Sequence, residues 1–245
     1  MSDIQSITQL GNPGNPTGQY GKLMLADMNE HHLPVTTWGL SHWTVNPNDT
    51  ILDIGCGGGR TIHTLSQNLT SGKVYGVDYS DTALECAAEY NAAKIAADKI
   101  KLINASVESL PFSDQTFNKI VTVESFYFWP SPVDNLREVL RILKIGGTFL
   151  LIADIHGDAD LTEHEMENIA RYNLFNPTKA EFEKLFEQAG FGSVIIHPKK
   201  DCNWICIEAT RKPSGHPIQG LAKGEFLYPN DINLGDDEIA EMFGV

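Results

Sequence analysis

The sequence lacks a hydrophobic run long enough to cross a membrane. Across its 245 residues, no segment approaches the roughly 20 continuous apolar residues that a membrane-spanning helix needs. The first ten residues, MSDIQSITQL, have neither a basic start nor an apolar core, so we expect no secretion signal. These absences predict a soluble protein of the reducing cytoplasm.

The sequence also lacks an excess of positive charge. Its 18 lysines and arginines stand against 32 aspartates and glutamates, which gives a formal net charge of -14 at pH 7. Such a chain offers no electrostatic footprint for the phosphates of nucleic acid or for an anionic membrane surface. We therefore predict neither nucleic acid nor a membrane as a partner.

Closely spaced cysteine pairs are missing as well. The four cysteines, Cys56, Cys86, Cys202 and Cys206, form no CxxC motif. Cys202 and Cys206 fall in a strand-like run, where their side chains would share one face. Further ligands are not evident near them in the sequence, so we predict no metal site.

What the sequence does contain is a regular alternation of strand-like and helix-like segments from about residue 50. Five apolar runs predict strands, namely TILDI, KVYGVD, IKLINA, FNKIVTVES and TFLLIAD, and helical patterns over 59–68, 80–98 and 131–143 lie between some of them. This alternation is typical of a parallel sheet with helices on both faces. After a helix-like segment over 176–191, two further strands, GSVIIHP and NWICIEAT, have too short a connection for a parallel crossover and should pair antiparallel. The sequence thus predicts an α/β, Rossmann-like fold with a seven-stranded, mostly parallel sheet and an antiparallel edge hairpin.

Two flanks lie outside this predicted domain of residues 46–210. Residues 1–49 are rich in turn formers and then helix-like, which predicts an N-terminal helical flank or lid. Residues 211–245 begin with Pro and Gly and end in an acidic helix-like segment. We expect this C-terminal extension, like the first flank, to pack on the core.

Glycine is concentrated at one corner, where four glycines occupy five positions within LDIGCGGGR. A glycine-rich turn between a strand and a helix presents unpaired N–H groups and lets a ligand approach the backbone closely. In an open parallel sheet, ligands bind beyond the carboxyl ends of the strands. Asp78 ends the second strand, 21 positions after Gly57, where it can accept hydrogen bonds from a ribose. This arrangement suits either a nicotinamide dinucleotide or S-adenosylmethionine.

Two details favour S-adenosylmethionine. The dinucleotide fingerprint is G-x-G-x-x-G, and counting from Gly55 its last position holds Arg60. Asp53 would also direct a carboxylate towards the ligand. That charge repels a pyrophosphate but attracts a sulfonium that carries a free ammonium group.

The chain resembles the class I S-adenosylmethionine-dependent methyltransferases, and within them the small-molecule branch that includes quinone-biosynthesis enzymes. The resemblance rests on LDIGCGGG, GVDYS, LPF, FNKIVTVES, REVLRILKIGGTFLL and AGF, in that order over about residues 46–210. It implies S-adenosyl-L-methionine as cofactor, S-adenosyl-L-homocysteine as product, and in-line transfer of a methyl group to a small-molecule acceptor. A nicotinamide-dependent oxidoreductase and a non-catalytic S-adenosylmethionine-binding protein are the alternatives.

The resemblance also implies which residues contact the cofactor. The positions are Asp53, Gly55, Cys56, Gly57, Asp78, Tyr79, Ser106, Val107 and Glu124. By this resemblance Asp78 holds both ribose hydroxyls, Tyr79 lies against the adenine, and Glu124 meets the methionine end. Ser106 stands where the family usually has an Asp that bonds the adenine amino group. Tyr20, in the helix-like flank, is a further candidate, which we expect to close over the cofactor.

The aromatic run FYFWP follows the fourth predicted strand. Phe126 and Phe128 are predicted to pack in the core, whereas Tyr127 and Trp129 are equally compatible with core packing and with the wall of an acceptor pocket. The segment 161–176 is a candidate for an insert that determines the acceptor.

Histidines near strand ends are candidates for a general base. His156 follows the fifth predicted strand and is the best placed, while His31 and His32 lie in the N-terminal flank. We therefore predict His156 as the catalytic residue if the acceptor must lose a proton. The sequence leaves open the acceptor atom and whether the protein is a monomer or a homodimer.

Overall fold

The computed structural model describes residues 11–213, which are built around a single seven-stranded sheet. The strands are β1 (Thr50–Ile54), β2 (Lys73–Asp78), β3 (Ile100–Asn104), β4 (Phe117–Val123), β5 (Leu143–Ala153), β6 (Ser193–Pro198) and β7 (Ile205–Thr210). Their order is β3-β2-β1-β4-β5-β7-β6. The first five strands run parallel, and β7 is antiparallel to both β5 and β6. The predicted mostly parallel sheet with an antiparallel edge pair is confirmed.

Helices cover both faces of this sheet. They are α1 (Gly18–His31), α2 (Leu33–Leu40), α3 (Arg60–Ser66), α4 (Asp81–Tyr90), α5 (Ala92–Ala96), α6 (Pro132–Ile142), α7 (Glu163–Tyr172) and α8 (Lys179–Ala189). One buried cluster joins the sheet to α6 and α8 through Leu136 and Phe182. A second cluster, with Val35 of α2 and Ile62 of α3, fills the opposite face. Each face therefore buries its apolar side chains against helices, as this class of fold requires.

Asn91 divides the helix that was predicted as one segment over 80–98. Ser80 caps its start as expected, because its side chain accepts a hydrogen bond from the backbone N–H of Ala83. Asn91 is only 1% exposed, and its Nδ2 donates to the carbonyl oxygens of Gly59 and Ala87, at 3.0 Å each. This polar side chain ends α4 and ties it to the glycine corner, so the prediction of a continuous helix is wrong.

The sixth helix and the fifth strand meet earlier than predicted. The helix ends at Ile142, and β5 begins at Leu143 rather than at Thr148. Leu143 pairs with Phe117, and the register shifts before Thr148 pairs with Lys119. Gly146 and Gly147, which the sequence pattern assigned to the end of the helix, therefore lie inside β5. The shift in register there is a bulge, which lets the strand include these extra residues.

The order of strands reverses between β1 and β4, which leaves a crevice at their carboxyl ends. The segment before α1 reaches this crevice, because the Ser80 hydroxyl donates to the carbonyl oxygen of Pro16 at 2.5 Å. Of the predicted C-terminal extension 211–245, all but the first three residues lie outside the described residues. Within residues 11–213, none of the helices has both the length and the apolar character of a membrane span.

Candidate active site

A cavity of about 440 Å³ lies at the carboxyl ends of β1, β2 and β4. This volume falls within the range of about 300–1,000 Å³ that is usual for small-molecule sites. Nine residues that the sequence predicted to contact a cofactor line it, namely Asp53, Gly55, Cys56, Gly57, Asp78, Tyr79, Ser106, Val107 and Glu124. The fold thus brings together side chains from four separate stretches of the chain.

The glycine corner forms the floor of this cavity. The backbone N–H groups of Gly55 and Cys56 both donate to the carbonyl oxygen of Val77, at 2.8 and 3.0 Å. Gly55 has a φ of 74°, in the left-handed region that glycine adopts most easily. A Cβ added there would also collide with the side chain of Ser125. This corner therefore needs glycine both for its backbone angle and for space.

Asp78 holds the corner from the neighbouring strand. Its Oδ2 accepts a hydrogen bond from the N–H of Gly57 at 3.0 Å, and its Oδ1 accepts one from the N–H of Ser80 at 2.9 Å. Burial raises the pKa of Asp78, while these backbone donors oppose the rise. Each carboxylate oxygen keeps a second lone pair, so the residue can still accept hydrogen bonds from a ligand.

Asp53, on β1, is buried without a complete set of partners. The residue is 1% exposed, and its Oδ1 has no hydrogen-bond partner within residues 11–213. Burial, reinforced by the charge of Asp78, raises the pKa of Asp53 to about 8. An unpaired buried carboxyl group is costly, and a cationic ligand would relieve that cost.

Glu124 is the second carboxyl group with an unpartnered oxygen in the cavity wall. It follows β4 with a φ of 52°, a strained conformation of the kind that clusters at functional sites. Its Oε1 is buried without a partner, and its Oε2 accepts from the hydroxyl of Tyr127 at 3.2 Å. Burial and then the nearby charge of Asp154 raise the pKa of Glu124 well above its usual range. Burial thus raises the pKa of both acids, and a positive group bound beside them would favour their ionised forms.

One end of the cavity carries an acid that sequence reasoning missed. Ser106 and Val107 lie there as predicted, together with Glu108. The Ser106 hydroxyl donates to Oε2 of Glu108 at 3.1 Å and accepts from the N–H of the same residue. A carboxylate of the cavity lining thus stands two residues after the position where the family usually has an Asp. The half-exposed ring of Tyr79 lines the cavity as well.

Helices α1 and α2, which lie in the stretch predicted as an N-terminal helical flank or lid, complete the wall. The residues they contribute are Leu25, Met28, Asn29, His32 and Thr36. Asn29 donates from Nδ2 to the carbonyl oxygen of Gly58 at 3.2 Å, so α1 is bonded to the glycine corner. Arg60, the lining residue that departs from the dinucleotide fingerprint, donates to Glu30 of α1 at 3.0 Å. The positive charge of Arg60 is therefore already paired with α1.

A second, apolar groove of about 480 Å³ adjoins the cavity. Phe128, Trp129 and Pro130 line both spaces. Phe128 was predicted as a core residue, but it is only partly buried and forms this shared wall, whereas Phe126 is core as expected. Phe175, just after α7, lines the far side of the groove, within the predicted insert of 161–176.

Two predicted site residues are not brought to the cavity. Tyr20 lies in the first turn of α1, is 50% exposed and is not among the lining residues. His156 is buried beside Asp158, whose backbone N–H donates to its Nδ1 at 3.2 Å, and it too lies away from the lining. Cys202 is exposed and precedes β7, so it does not share a strand face with Cys206 as predicted.

Comparison with known proteins gives a match at the level of domain, sequence and fold. Residues 45–190 match the family model described as a methyltransferase domain. The chain is 29% identical over 168 residues to 2-methyl-6-phytyl-1,4-hydroquinone methyltransferase 1 of Oryza sativa subsp. japonica, covering 63% of this chain and 48% of that protein. It is 27% identical to the tRNA U34 carboxymethyltransferase of Pseudoalteromonas translucida, covering 94% of this chain and 76% of that protein.

The fold is also that of a solved methyltransferase. Phosphoethanolamine N-methyltransferase 2 of Haemonchus contortus, in complex with S-adenosyl-L-methionine, superposes with a TM-score of 0.69 at 13% identity, over 86% of this chain and 60% of that one. At that identity the likeness concerns the fold alone. The chain spans about half the length of the rice hydroquinone methyltransferases that it matches, at 48% and 46%.

Proposed function

We propose, because the chain belongs to the family of methyltransferase domains, that it transfers a methyl group from S-adenosylmethionine to a small-molecule acceptor. The family match over residues 45–190 favours this activity over the nicotinamide-dependent oxidoreductase considered from the sequence. When bound, the cofactor supplies an activated methyl group on a sulfonium, and S-adenosylhomocysteine leaves as product.

The observation that carries the proposal is the buried, unpartnered oxygen of Asp53. Its Oδ1 and the Oε1 of Glu124 both lack a partner within residues 11–213, and both residues line the cavity. A ligand with an ammonium and a sulfonium group would supply the missing positive charge. A pyrophosphate would instead meet two acids, and the lining guanidinium of Arg60 is already paired with Glu30. The site therefore fits S-adenosylmethionine.

The remaining cofactor contacts follow from the position of each residue. Asp78 has free lone pairs for the two ribose hydroxyls, which donate hydrogen bonds. The ring of Tyr79 lines the cavity, which supports the proposed stacking on the adenine, and Ser106 with Glu108 offers acceptors for the adenine amino group. Tyr20 closing over the bound cofactor remains a prediction, and so does a catalytic role for His156.

The acceptor is proposed to place its apolar part in the groove beyond Phe128 and Trp129. This groove shares Phe128, Trp129 and Pro130 with the cavity, so a ring held at the shared wall could face the cofactor while its tail extends towards Phe175. The names of the rice relatives, which are hydroquinone methyltransferases, suggest a prenylated aromatic acceptor of the same kind. The tRNA-modifying relative suggests a nucleic acid instead, but the net charge of -14 disfavours that partner.

The protein would accelerate the transfer by holding the acceptor in line with the methyl group. In ideal systems such positioning lowers the activation free energy by up to about 7–11 kcal/mol.

Two measurements test the proposal. Calorimetric titration with S-adenosylmethionine, S-adenosylhomocysteine and NAD should show binding of the first two and none of the third. Release of S-adenosylhomocysteine should then be assayed with phenol, hydroquinone, amine and thiol acceptors, each with and without an apolar tail. Cofactor binding with no turnover for any acceptor would favour the non-catalytic alternative. Binding of NAD alone would overturn the proposal. The cytoplasmic location and the choice between monomer and homodimer remain predictions.

A further inference from the structure

We propose that His31, His32 and Asp154 form a site for one divalent transition-metal ion at the wall of the cavity. Each of the three residues offers one ligand atom, and these atoms all lie within 4.8 Å of one another. Among residues 11–213, this is the one group of three metal-ligating side chains with that geometry. The sequence-based expectation of no metal site rested on the cysteines, and none of them belongs to this group.

The fold brings the three residues together from two distant parts of the chain. His31 is the last residue of α1, and His32 joins α1 to α2. Their ring centroids are 5.5 Å apart with an interplanar angle of 68°. Asp154 directly follows β5, so it stands at the same edge of the sheet as the cavity. The junction between the two helices thus places both imidazoles near a carboxylate at a strand end.

The donor set selects the class of ion. Two imidazole nitrogens and one carboxylate oxygen suit Zn²⁺, Fe²⁺, Co²⁺ or Ni²⁺, whereas Mg²⁺ and Ca²⁺ prefer oxygen ligands throughout. Such ions hold their ligands at about 2.0–2.2 Å. The three ligand atoms already lie within 4.8 Å of one another, so small side-chain rotations would bring them to these distances from one ion. Three protein ligands leave at least one coordination position open for another molecule.

The surroundings of the three residues favour a cation. Asp27, one turn before His31 on α1, adds a second negative charge that acts on His32. The structure records no ion pair between Asp154 and a Lys or Arg among the residues it describes. The carboxyl group of Glu124 also lies beside Asp154, which adds a third acidic group to this part of the wall. A bound ion would balance this local excess of acidic groups.

The position of the site indicates what the ion would do, and this part rests on the proposed function. Because His32 lines the cavity, an open coordination position would face the acceptor. An acceptor hydroxyl bound there becomes more acidic and loses its proton to water. Its oxygen then attacks the methyl carbon, and the carbon–sulfur bond breaks with its electron pair remaining on sulfur.

Titration of the full chain with Co²⁺ tests the site directly. The protein is purified without a histidine tag and stripped with a chelator, and binding is followed by calorimetry and by the visible absorption of Co²⁺. We expect one ion per chain in the wild type, and at least tenfold weaker binding in His31→Gln and in Asp154→Asn. His164→Gln is the matched control, because this exposed histidine on α7 bonds Asn168 and lies outside the cluster.

The proposal is overturned if the wild type shows no saturable Co²⁺ binding, or if the two ligand variants bind as tightly as His164→Gln. Thermal melting of each variant confirms that it is folded before its affinity is compared. His31→Gln should bind S-adenosylhomocysteine as the wild type does. If the wild type and all variants fail to bind S-adenosylhomocysteine but the wild type binds Co²⁺, the proposed function is contradicted and the metal site is still supported.

Discussion

The carboxylate of Asp78 accepts a hydrogen bond from the backbone N–H of Gly57 at 3.0 Å, across 21 positions of sequence. The residue predicted to hold a ribose therefore also fixes the shape of the glycine corner that forms the floor of the cavity. Its second oxygen accepts from the N–H of Ser80, which begins α4. One side chain thus links two strand ends and a helix start.

Replacing Asp78 with Asn should weaken S-adenosylhomocysteine binding by at least tenfold. An amide oxygen is a weaker acceptor than a carboxylate, so the ribose contacts and the bond to Gly57 both lose strength. Isothermal titration calorimetry measures the dissociation constant. Asp81→Asn is the matched control, since Asp81 is exposed and bonds Asn104 away from the cavity. An unchanged dissociation constant in folded Asp78→Asn would contradict the assignment.

Asp53 should make the ligand-free protein less stable as the pH rises. Because burial raises its folded-state pKa from 3.8 to about 8, the folded protein binds more protons than the unfolded chain between those values. The free energy of unfolding should then decline across this window, and one pKa unit corresponds to about 1.4 kcal/mol. Asp53→Asn should lack that part of the decline.

Urea unfolding at about pH 5 and about pH 8 measures this effect. The difference in stability between the two pH values should be smaller for Asp53→Asn than for the wild type by on the order of 1–3 kcal/mol. Asp158→Asn serves as a control on an exposed acid outside the cavity. Equal pH dependence in all three proteins would show that Asp53 is already ionised in the folded chain.

Gly55→Ala should destabilise the protein more than Gly146→Ala does. The two glycines have nearly the same φ, 74° and 75°, but a Cβ at Gly146 meets nothing within 4 Å, whereas at Gly55 it meets Ser125. Backbone strain alone should cost on the order of 1 kcal/mol at either position. The additional loss at Gly55, read from urea midpoints, measures the collision, and Ser125→Gly should recover part of it. Equal losses at the two positions would exclude the collision.

Asn91→Ala should lower the free energy of unfolding by about 1–3 kcal/mol, since the carbonyl groups of Gly59 and Ala87 each lose one of their two donors and the buried amide is replaced by a void. The carbonyl of Gly59 would lose its bond to Nδ2, so the helix after the glycine corner should loosen as well. Chemical denaturation provides the measurement. Asn104→Ala, at an exposed position, should change stability by no more than about 0.5 kcal/mol. A loss at Asn91 no larger than at Asn104 would show that the buried bonds are replaced by water.

The sheet could be predicted from local patterns in the sequence, and nine residues of the cavity lining from those patterns and the family resemblance. Apolar runs of strand length mark β1 to β5, and the acids Asp53 and Asp78 are read directly from their places in two of them. The rest of the site could not be predicted from local patterns, because it depends on contacts between residues that are far apart in the sequence. His32 and Asn29 reach the cavity only because α1 docks beside the glycine corner. Likewise, Asn91 ends a helix of good propensity and bonds a carbonyl 32 positions earlier, a contact that no local pattern shows.

The cavity wall formed by α1 and α2 comes from residues that precede the stretch matched by the family model, which begins at residue 45. The wall formed by α1 and α2 and the wall formed by the residues between Asp53 and Glu124 therefore come from separate stretches of the chain. Substitutions in α1 and α2 would reshape one side of the cavity without changing any of the nine predicted cofactor-contacting residues. One wall of this cavity can in this way vary while the domain that carries the opposite wall stays the same.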